Sequence, residues 1–229
     1  MFIISDVHAN TEELGKMILL LDLNEQSRLV FLGDYIDKKS HVAETLKMLA
    51  DLKNKYDCVF IKGNHEFVWE KYLGGDLSRQ EFILNHGSVE SLRQYTEEAE
   101  ELVRGNRIDE IRKYLQPYLD FCKSTVDYHL ADGFLAVHAG ILKEQINQDP
   151  LVFTEANYFF RKDKMDVDDK YLGKHMIIGG HTYDGQAPVI KKGYIGIDLG
   201  AGYDGYISVF DTDKKRVIRS DGKIFNLNI

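Results

Sequence analysis

The chain has 229 residues, of which 44% are hydrophobic and 29% are charged, and this balance excludes a disordered or low-complexity polypeptide. A chain of this length can bury a sizeable core, and we interpret residues 1–229 as a single domain. The formal net charge of −8, without a long run of lysine or arginine, argues against a nucleic-acid partner.

The first third of the chain alternates short apolar runs with amphipathic stretches. Asn10 and Glu13 have the spacing of a capping box, which predicts that a helix begins there. Three strands and a second helix are also predicted, at residues 2–4, 28–32, 58–61 and 40–53 respectively. This strand, helix, strand, helix, strand order implies right-handed crossovers and a parallel sheet. The loops after the three strands should therefore emerge at one edge.

The pattern changes in the middle of the chain. Residues 68–125 are rich in charged, helix-favouring side chains and show no strand signal, so we interpret them as a helical lid inserted into the domain. Residues 126–130 and 134–137 then predict a hairpin around an Ala-Asp-Gly turn. Further strand signals predict a second, mainly antiparallel sheet, at residues 176–178, 194–199, 206–210 and 216–219.

Five loops with similar chemistry follow apolar runs. They are Asp6-Val7-His8, Gly33-Asp34-Tyr35-Ile36-Asp37, Gly63-Asn64-His65-Glu66, His138-Ala139-Gly140 and Gly180-His181-Thr182. Loops at strand ends are where rigid sheets commonly present catalytic groups. Carboxylate, imidazole and amide oxygen together suit borderline divalent ions such as Mn²⁺, Fe²⁺ and Zn²⁺. The five loops therefore indicate a two-metal active site.

The order of these motifs resembles that of the calcineurin-like metallophosphoesterases, and most closely their phosphoprotein-phosphatase branch. Within that branch, the chain is similar to small bacterial and phage serine/threonine phosphatases and to symmetrical diadenosine tetraphosphate hydrolases. The likeness extends through residues 197–202, Ile-Asp-Leu-Gly-Ala-Gly. The resemblance implies an α/β fold: a β-sandwich of two mixed sheets flanked by helices, with the metals at one edge.

The resemblance also implies a role for each motif residue. Two divalent ions are expected, most consistent with Mn²⁺, with Fe or Zn as alternatives. A hydroxide bridging the two ions would attack the phosphorus in line. The implied ligands are Asp6 and His8 for the first ion, Asp34 as the bridge, and Asn64, His138 and His181 for the second.

By the same resemblance, His65 would be the general acid that protonates the leaving oxygen, and Asp37 would orient its ring. A nearby carboxylate raises the pKa of a histidine, which keeps the proton available near pH 7. Members of the family often grip the substrate phosphate with arginines. Here Lys38 and Lys62 occupy two of those places, and Arg161 matches the order of a third, so we expect these residues to bind phosphate.

The substrate remains open at this stage. The leading hypothesis is a serine/threonine-type phosphomonoesterase, whose partner is a phosphorylated protein or a small phosphoester. The alternative is a symmetrical dinucleoside tetraphosphate hydrolase that releases ADP, in which Tyr183, Tyr203 and Tyr206 could stack a nucleobase rather than simply pack. A third hypothesis, of another class, is a catalytically silent metal-binding regulatory module.

One further stretch is similar to a lid segment beside the active site of the bacterial members. It comprises Asn85-His86-Gly87 and the following residues 91–95. A helix that breaks and restarts at Gly87 is an equally good explanation of the same pattern.

The cellular compartment is inferred from the cysteines and from the first residues. We expect a cytoplasmic protein without a membrane partner, because no basic leader and no long apolar segment is present. Cys58 and Cys122 form neither a disulfide framework nor a Cys-x-x-Cys metal motif, and we expect both to be buried as small hydrophobes. The sequence does not predict the oligomeric state.

Overall fold

The computed structural model describes residues 1–84, 87–159 and 170–229. The predicted phosphate ligand Arg161 lies outside these ranges, as do Asn85 and His86 of the segment that resembles a lid.

The described residues contain short strands and mostly short helices. The strands are β1 (Phe2–Ile4), β2 (Arg28–Phe31), β3 (Asp57–Phe60), β4 (Tyr128–Ala131), β5 (Phe134–Val137), β6 (Met176–Gly179), β7 (Val189–Ile190), β8 (Tyr194–Gly196), β9 (Ser208–Asp211), β10 (Arg216–Arg219) and β11 (Ile224–Asn226). The helices are α1 (Thr11–Leu20), α2 (Val42–Lys55), α3 (Asn64–Gly74), α4 (Arg79–Leu84), α5 (Glu90–Arg93), α6 (Ala99–Arg104), α7 (Ile108–Cys122) and α8 (Glu155–Tyr158), with one 3₁₀ turn at Lys143–Gln145.

The predicted parallel arrangement of the first three strands is confirmed. Strand β1 pairs in parallel with β2, and β2 pairs in parallel with β3. The side chain of Asn10 accepts a hydrogen bond of 3.3 Å from the backbone N–H of Glu13, which caps α1 as the sequence predicts. The loops that follow β1, β2 and β3 therefore leave the sheet at the same edge.

The predicted second sheet is wrong in two respects. Strands β9 and β10 join the first sheet, which has the order β11-β10-β9-β1-β2-β3. The second sheet, β4-β5-β6-β8-β7, is mixed, since β5–β6 and β6–β8 are parallel while β4–β5 and β7–β8 are antiparallel. An apolar run indicates that a strand is buried, but it does not indicate which of the two sheets the strand joins. Here β9 covers the edge of β1 that β2 leaves unpaired.

The two sheets pack face to face through an apolar layer, which confirms the predicted α/β sandwich of two mixed sheets. From the first sheet this layer takes Ile3, Val30 and Phe210, and from the second it takes Ile178 and Ile195, all of them fully buried. Burial of this kind is the main force that holds the sheets together. The rigid sandwich in turn fixes the loops at its edge.

The stretch predicted to be a helical lid is indeed helical, with α3 to α7 falling within or at the start of it. Its buried side chains, among them Trp69, Phe82 and Leu115, belong to the same apolar cluster as residues of α1 and α2. A role as a lid stays a prediction. Both cysteines are free thiols, and Cys122 is buried as expected, but the expectation for Cys58 is wrong, since that residue is partly exposed. Within the described ranges, no helix combines the length and the apolar character needed to cross a bilayer.

Candidate active site

Most of the predicted site residues lie in or beside one cavity of about 670 Å³. It lies at the edge where the loops after β1, β2, β3 and β6 emerge. The predicted residues that line it are His8, Asp34, Lys38, Asn64, His65 and His181. Three more, namely Asp6, Asp37 and His138, are buried and contact these lining residues. Residues that are more than one hundred positions apart in the sequence are thus brought together at one site.

Asp34 lies at the centre of the cluster. Its Oδ2 atom is 3.5 Å from His8 Nε2 and 3.9 Å from His65 Nε2, while its Oδ1 atom is 3.5 Å from His138 Nε2. Two groups of possible metal ligands share it, one with His8 and His65 and the other with His138 and His181. The ligand atoms in each group lie within 4.8 Å of one another. Asp34 therefore belongs to both groups of possible ligands, and its role as the bridge stays a prediction.

The backbone fixes which nitrogen two of the histidines present to the cavity. His138 Nδ1 donates to the carbonyl oxygen of Leu32 at 2.8 Å, and His8 Nδ1 donates to that of Ile36 at 3.2 Å. Because a carbonyl can only accept, each neutral ring keeps its lone pair on Nε2, and this nitrogen faces Asp34. Burial lowers the pKa of both rings well below the usual range, which favours the neutral, ligating form.

Asn64 completes the second group. Its Oδ1 atom is 2.9 Å from His138 Nε2 and 2.9 Å from His181 Nδ1. In this orientation two acceptors, the amide oxygen and the lone pair on His138 Nε2, lie within 2.9 Å of each other, and a cation bound by both would relieve their repulsion. The donor set of carboxylate, imidazole and amide oxygen therefore fits a divalent ion.

Asp6 belongs to the same acidic cluster. Its carboxylate accepts hydrogen bonds of 3.1 and 3.0 Å from the backbone N–H of His181. A methyl group at Gly180 would collide with this carboxylate, so the glycine permits the close approach. Burial raises the pKa of Asp6 well above its ordinary value, and the charges of Asp198 and Asp34 raise it further. Burial likewise raises the pKa of Asp34 to about 6. A bound cation would relieve this repulsion.

His65 and Asp37 form the predicted pair. His65 Nδ1 lies 2.7 Å from Asp37 Oδ2, and both residues are buried. Burial alone would lower the pKa of His65, but Asp34 and the hydrogen-bonded Asp37 outweigh it and raise that pKa to about 9. In the metal-free protein these carboxylates favour the protonated ring, which lines the cavity and can donate a proton.

The three predicted phosphate ligands have different positions. Lys38 lines the cavity, and its backbone φ of 69° lies in the left-handed region. The ammonium of Lys62 instead forms an ion pair of 2.6 Å with Glu70, and Lys62 is not among the described residues that line the cavity. Arg161 lies outside the described residues. Binding of phosphate by any of the three stays a prediction.

Sequence reasoning missed several residues that support this site. Glu66, the last residue of the Gly-Asn-His-Glu motif, accepts hydrogen bonds from the backbone N–H groups of Asp34, Tyr35 and Gly63. Its membership of the motif is the signal that could have revealed it. Trp69 and Ser91 both donate to Asp37. Ser91 begins the stretch 91–95 that resembles a lid segment beside the active site, but that resemblance did not predict its contact with Asp37.

Asp198 was also missed, although it stands in the stretch 197–202 that carries the family resemblance. It lines the cavity, is almost fully buried, and raises the pKa values of Asp6 and Asp34 through its charge. A further carboxylate beside the two predicted ones adds to the demand for positive charge at this edge of the sheet.

Known proteins share parts of this sequence and this fold. The PP2A-like serine/threonine-protein phosphatase PPG1 of Candida albicans is 35% identical over 66 residues, which are 28% of this chain and 16% of that protein. A relative from Caenorhabditis elegans is matched over 18% of its length. The chain therefore matches less than a fifth of the length of either curated relative.

Solved structures match nearly the whole chain at low sequence identity. A cold-active protein-tyrosine phosphatase of a psychrophilic Shewanella species is 18% identical, with a TM-score of 0.59 over 99% of this chain and 80% of that one. A provisionally assigned diadenosine tetraphosphatase is 17% identical, with a TM-score of 0.52 over 100% of this chain and 94% of that one. These likenesses establish a shared fold.

The model of the calcineurin-like phosphoesterase family matches residues 1–198, which is most of the chain. This match spans all five loops that meet at the cavity. The protein therefore belongs to the calcineurin-like phosphoesterase family.

Proposed function

We propose that this protein is a metal-dependent phosphoester hydrolase of the serine/threonine phosphatase type, which cleaves phosphomonoesters in a phosphorylated protein or a small molecule. One observation carries the proposal. The Asp34 carboxylate lies 3.5 to 3.9 Å from the ring nitrogens of three histidines, in the same cluster as the Asn64 amide oxygen. The family membership and the similarity to curated phosphatases support it.

The proposed cofactor is a pair of divalent ions, with Mn²⁺ the first choice and Fe or Zn as alternatives. When bound, such a pair would neutralise phosphoryl charge and lower the pKa of water enough to supply a nucleophile near neutral pH. The proposed ligands are Asp6 and His8 for one ion, Asp34 as the bridge, and Asn64, His138 and His181 for the other.

The remaining chemistry belongs to the chain itself. His65 would donate its proton to the leaving oxygen, because it lines the cavity and its ring is held by Asp37. Lys38 would offset part of the charge of the incoming phosphate. Its ammonium is a point charge without the planar fork of arginine, so it attracts phosphate without fixing its orientation.

Removal of metal is expected to abolish turnover, and Asp34→Asn is expected to prevent its recovery. Asparagine keeps the size of the side chain but loses one ligand oxygen and the negative charge between the two groups of ligands. The measurement is the hydrolysis of p-nitrophenyl phosphate by chelator-treated protein before and after Mn²⁺ is added, together with the metal content per chain.

The matched control is Asp22→Asn, since Asp22 is exposed on the surface. It should behave as the wild type does. Full turnover by the metal-free wild type would overturn the proposal, and so would an Asp34→Asn variant that keeps both ions and its activity.

A second candidate function is favoured by two aromatic rings at the mouth of the cavity. Tyr183 and Tyr203 line the cavity and stack on each other, with ring centroids 6.1 Å apart and ring planes 28° apart. Their exposed fractions are 41% and 56%, so a large aromatic surface faces solvent. Such a surface can stack a nucleobase, as a dinucleoside tetraphosphate would require. Tyr206 is different, because its ring packs against the guanidinium of Arg219 at 3.9 Å.

Tyr203→Leu separates the two candidates. If the protein hydrolyses diadenosine tetraphosphate to ADP, loss of the ring should raise KM for that substrate by about 10-fold, since stacking of one base is worth roughly 1–3 kcal/mol. KM for glycerol phosphate, which has no ring, should not change. Tyr114→Leu, on the outer face of α7, is the control.

The products decide the outcome. Efficient release of ADP by the Mn²⁺-loaded wild type would establish the dinucleotide reaction. Brisk, metal-dependent cleavage of monoesters without ADP would favour the phosphatase. Metal binding without turnover of any phosphoester would identify a catalytically silent regulatory module.

A further inference from the structure

Ser91, a residue of the helical stretch, forms hydrogen bonds with Asp37, which lies 54 positions earlier in the sequence. Ser91 Oγ donates a hydrogen bond of 2.6 Å to Asp37 Oδ1 and accepts one of 2.9 Å from the backbone N–H of Asp37. Ser91 lies in the four-residue helix α5 and is fully buried. A single hydroxyl therefore holds both the carboxylate and the backbone of the same residue.

Both oxygens of the Asp37 carboxylate have hydrogen-bond partners, and Ser91 is the close partner of Oδ1. His65 Nδ1 lies 2.7 Å from Oδ2, and Trp69 Nε1 donates to the same oxygen at 3.1 Å. Ser91 contacts Oδ1, the opposite oxygen. Without Ser91, Oδ1 would keep only the Trp69 contact of 3.4 Å, and the carboxylate could turn about its χ2 angle. Rotation of Asp37 would then release the His65 ring.

The backbone at this point also needs support. Asp37 has a φ of 66° and Lys38 a φ of 69°, and such left-handed conformations are strained in residues other than glycine. The N–H of Asp37 is held by Ser91 Oγ, and a few residues later the N–H of Val42 donates to Gln94 Oε1 at 2.7 Å. Ser91 and Gln94 thus anchor both ends of the segment that carries Asp37 and Lys38.

We propose that Ser91 is a positioning residue for the general acid, which holds the Asp37 carboxylate so that His65 faces the leaving oxygen. The inference deepens the proposed function and rests on it. It assigns the helical stretch between β3 and β4 a part in the chemistry, through α5, in addition to covering apolar surface.

Mutation of Ser91 should have a different effect if the serine only supports folding than if it positions the general acid. Protonation by a general acid matters most when the leaving oxygen is a poor leaving group, and hardly at all when the leaving group departs easily as an anion. A loss of folded protein would slow both kinds of substrate equally. A loss of acid positioning would slow alkyl phosphates selectively.

The test compares Ser91→Ala with the wild type on a phosphoserine peptide and on p-nitrophenyl phosphate. We expect the ratio of the two kcat values, peptide over nitrophenyl ester, to fall by about 10-fold, which is part of the full contribution of a general acid. Ser91→Thr keeps the hydroxyl and should restore most of the ratio. Ser88→Ala is the matched control, since Ser88 lies just before α5 and its hydroxyl accepts from the backbone of Glu90 rather than contacting Asp37.

A second readout does not depend on turnover. The His65 Nδ1 proton should give a low-field NMR resonance, identified by its absence in His65→Asn, and this resonance should shift or broaden in Ser91→Ala. An unchanged kcat ratio, an equal loss on both substrates, or an unmoved resonance would overturn the role of Ser91. If the wild type hydrolyses no phosphoester, the proposed function fails, and the resonance alone still decides whether Ser91 positions the pair.

Discussion

His65→Asn is expected to keep its metal ions and to lose about 10²- to 10⁴-fold in kcat on alkyl phosphates, the usual contribution of a general acid. The ring of His65 is held 2.7 Å from Asp37, and the neighbouring carboxylates overcome burial to raise its pKa to about 9. Asparagine retains a polar side chain but carries no proton that it can transfer. The loss on p-nitrophenyl phosphate should be smaller, because its leaving group needs little protonation.

The metal content of the same variant discriminates between two roles. His65 Nε2 lies 3.9 Å from Asp34 Oδ2, and His65 also falls in a group of possible metal ligands with His8 and Asp34. Loss of one ion per chain in His65→Asn would make His65 a ligand. Unchanged turnover with both ions present would remove it from catalysis. His41→Asn, at an exposed position before α2, should change neither quantity.

Much of the site follows from local sequence because its topology is nearly forced. An apolar run, an amphipathic helix and a second apolar run close into a parallel, right-handed unit. Two such units in succession bring the loops after β1, β2 and β3 to one edge, as the structure confirms. The approach of Asp34 to His8 and His65 could therefore be anticipated from residues 1–66 alone.

Long-range partners could not be anticipated in this way. Ser91 follows Asp37 by 54 residues, and although it begins the stretch 91–95 that resembles a lid segment, nothing in that stretch predicts a contact with Asp37. Lys62 directly precedes the Gly-Asn-His-Glu motif, yet its ammonium forms an ion pair with Glu70 of α3 and not with the cavity. The sheet that β9 joins depends on which edge stays unpaired, and that is a property of the assembled core. Such contacts depend on how the helices and strands pack against one another, whereas the local sequence pattern determines which helices and strands form.

Glu66→Gln is expected to lower the free energy of unfolding by about 2–4 kcal/mol, because a buried backbone donor left without a partner costs roughly 1–3 kcal/mol. Glu66 Oε2 accepts from the N–H groups of Asp34 and Gly63, and Oε1 accepts from Tyr35 N–H and Tyr118 O–H. A carboxylate can accept all four hydrogen bonds. Glutamine must turn an NH₂ group toward one pair of them.

Either orientation of the glutamine leaves a conflict. With its nitrogen in the place of Oε2, two backbone N–H groups face a donor. With its nitrogen in the place of Oε1, the Tyr118 hydroxyl can rotate and accept, but the N–H of Tyr35 cannot. The second orientation costs less and sets the lower end of the expected range. Burial and the charge of Asp34 raise the pKa of Glu66 to about 7. The wild type should therefore lose stability as the pH rises through that value, whereas the glutamine variant should not, and the difference between the two should be smaller above that pH.

The measurement is urea unfolding at pH 8, followed by the fluorescence of Trp69, which is the single tryptophan. Glu70→Gln on the same helix is the matched control. Its partner Lys62 is part-exposed, so loss of that pair should cost at most about 1 kcal/mol. If the two variants unfold at the same urea concentration, the four hydrogen bonds do not hold the Asp34 loop against α3. In that case, the position of the Asp34 carboxylate would have to be set by bound metal rather than by the protein before metal binds.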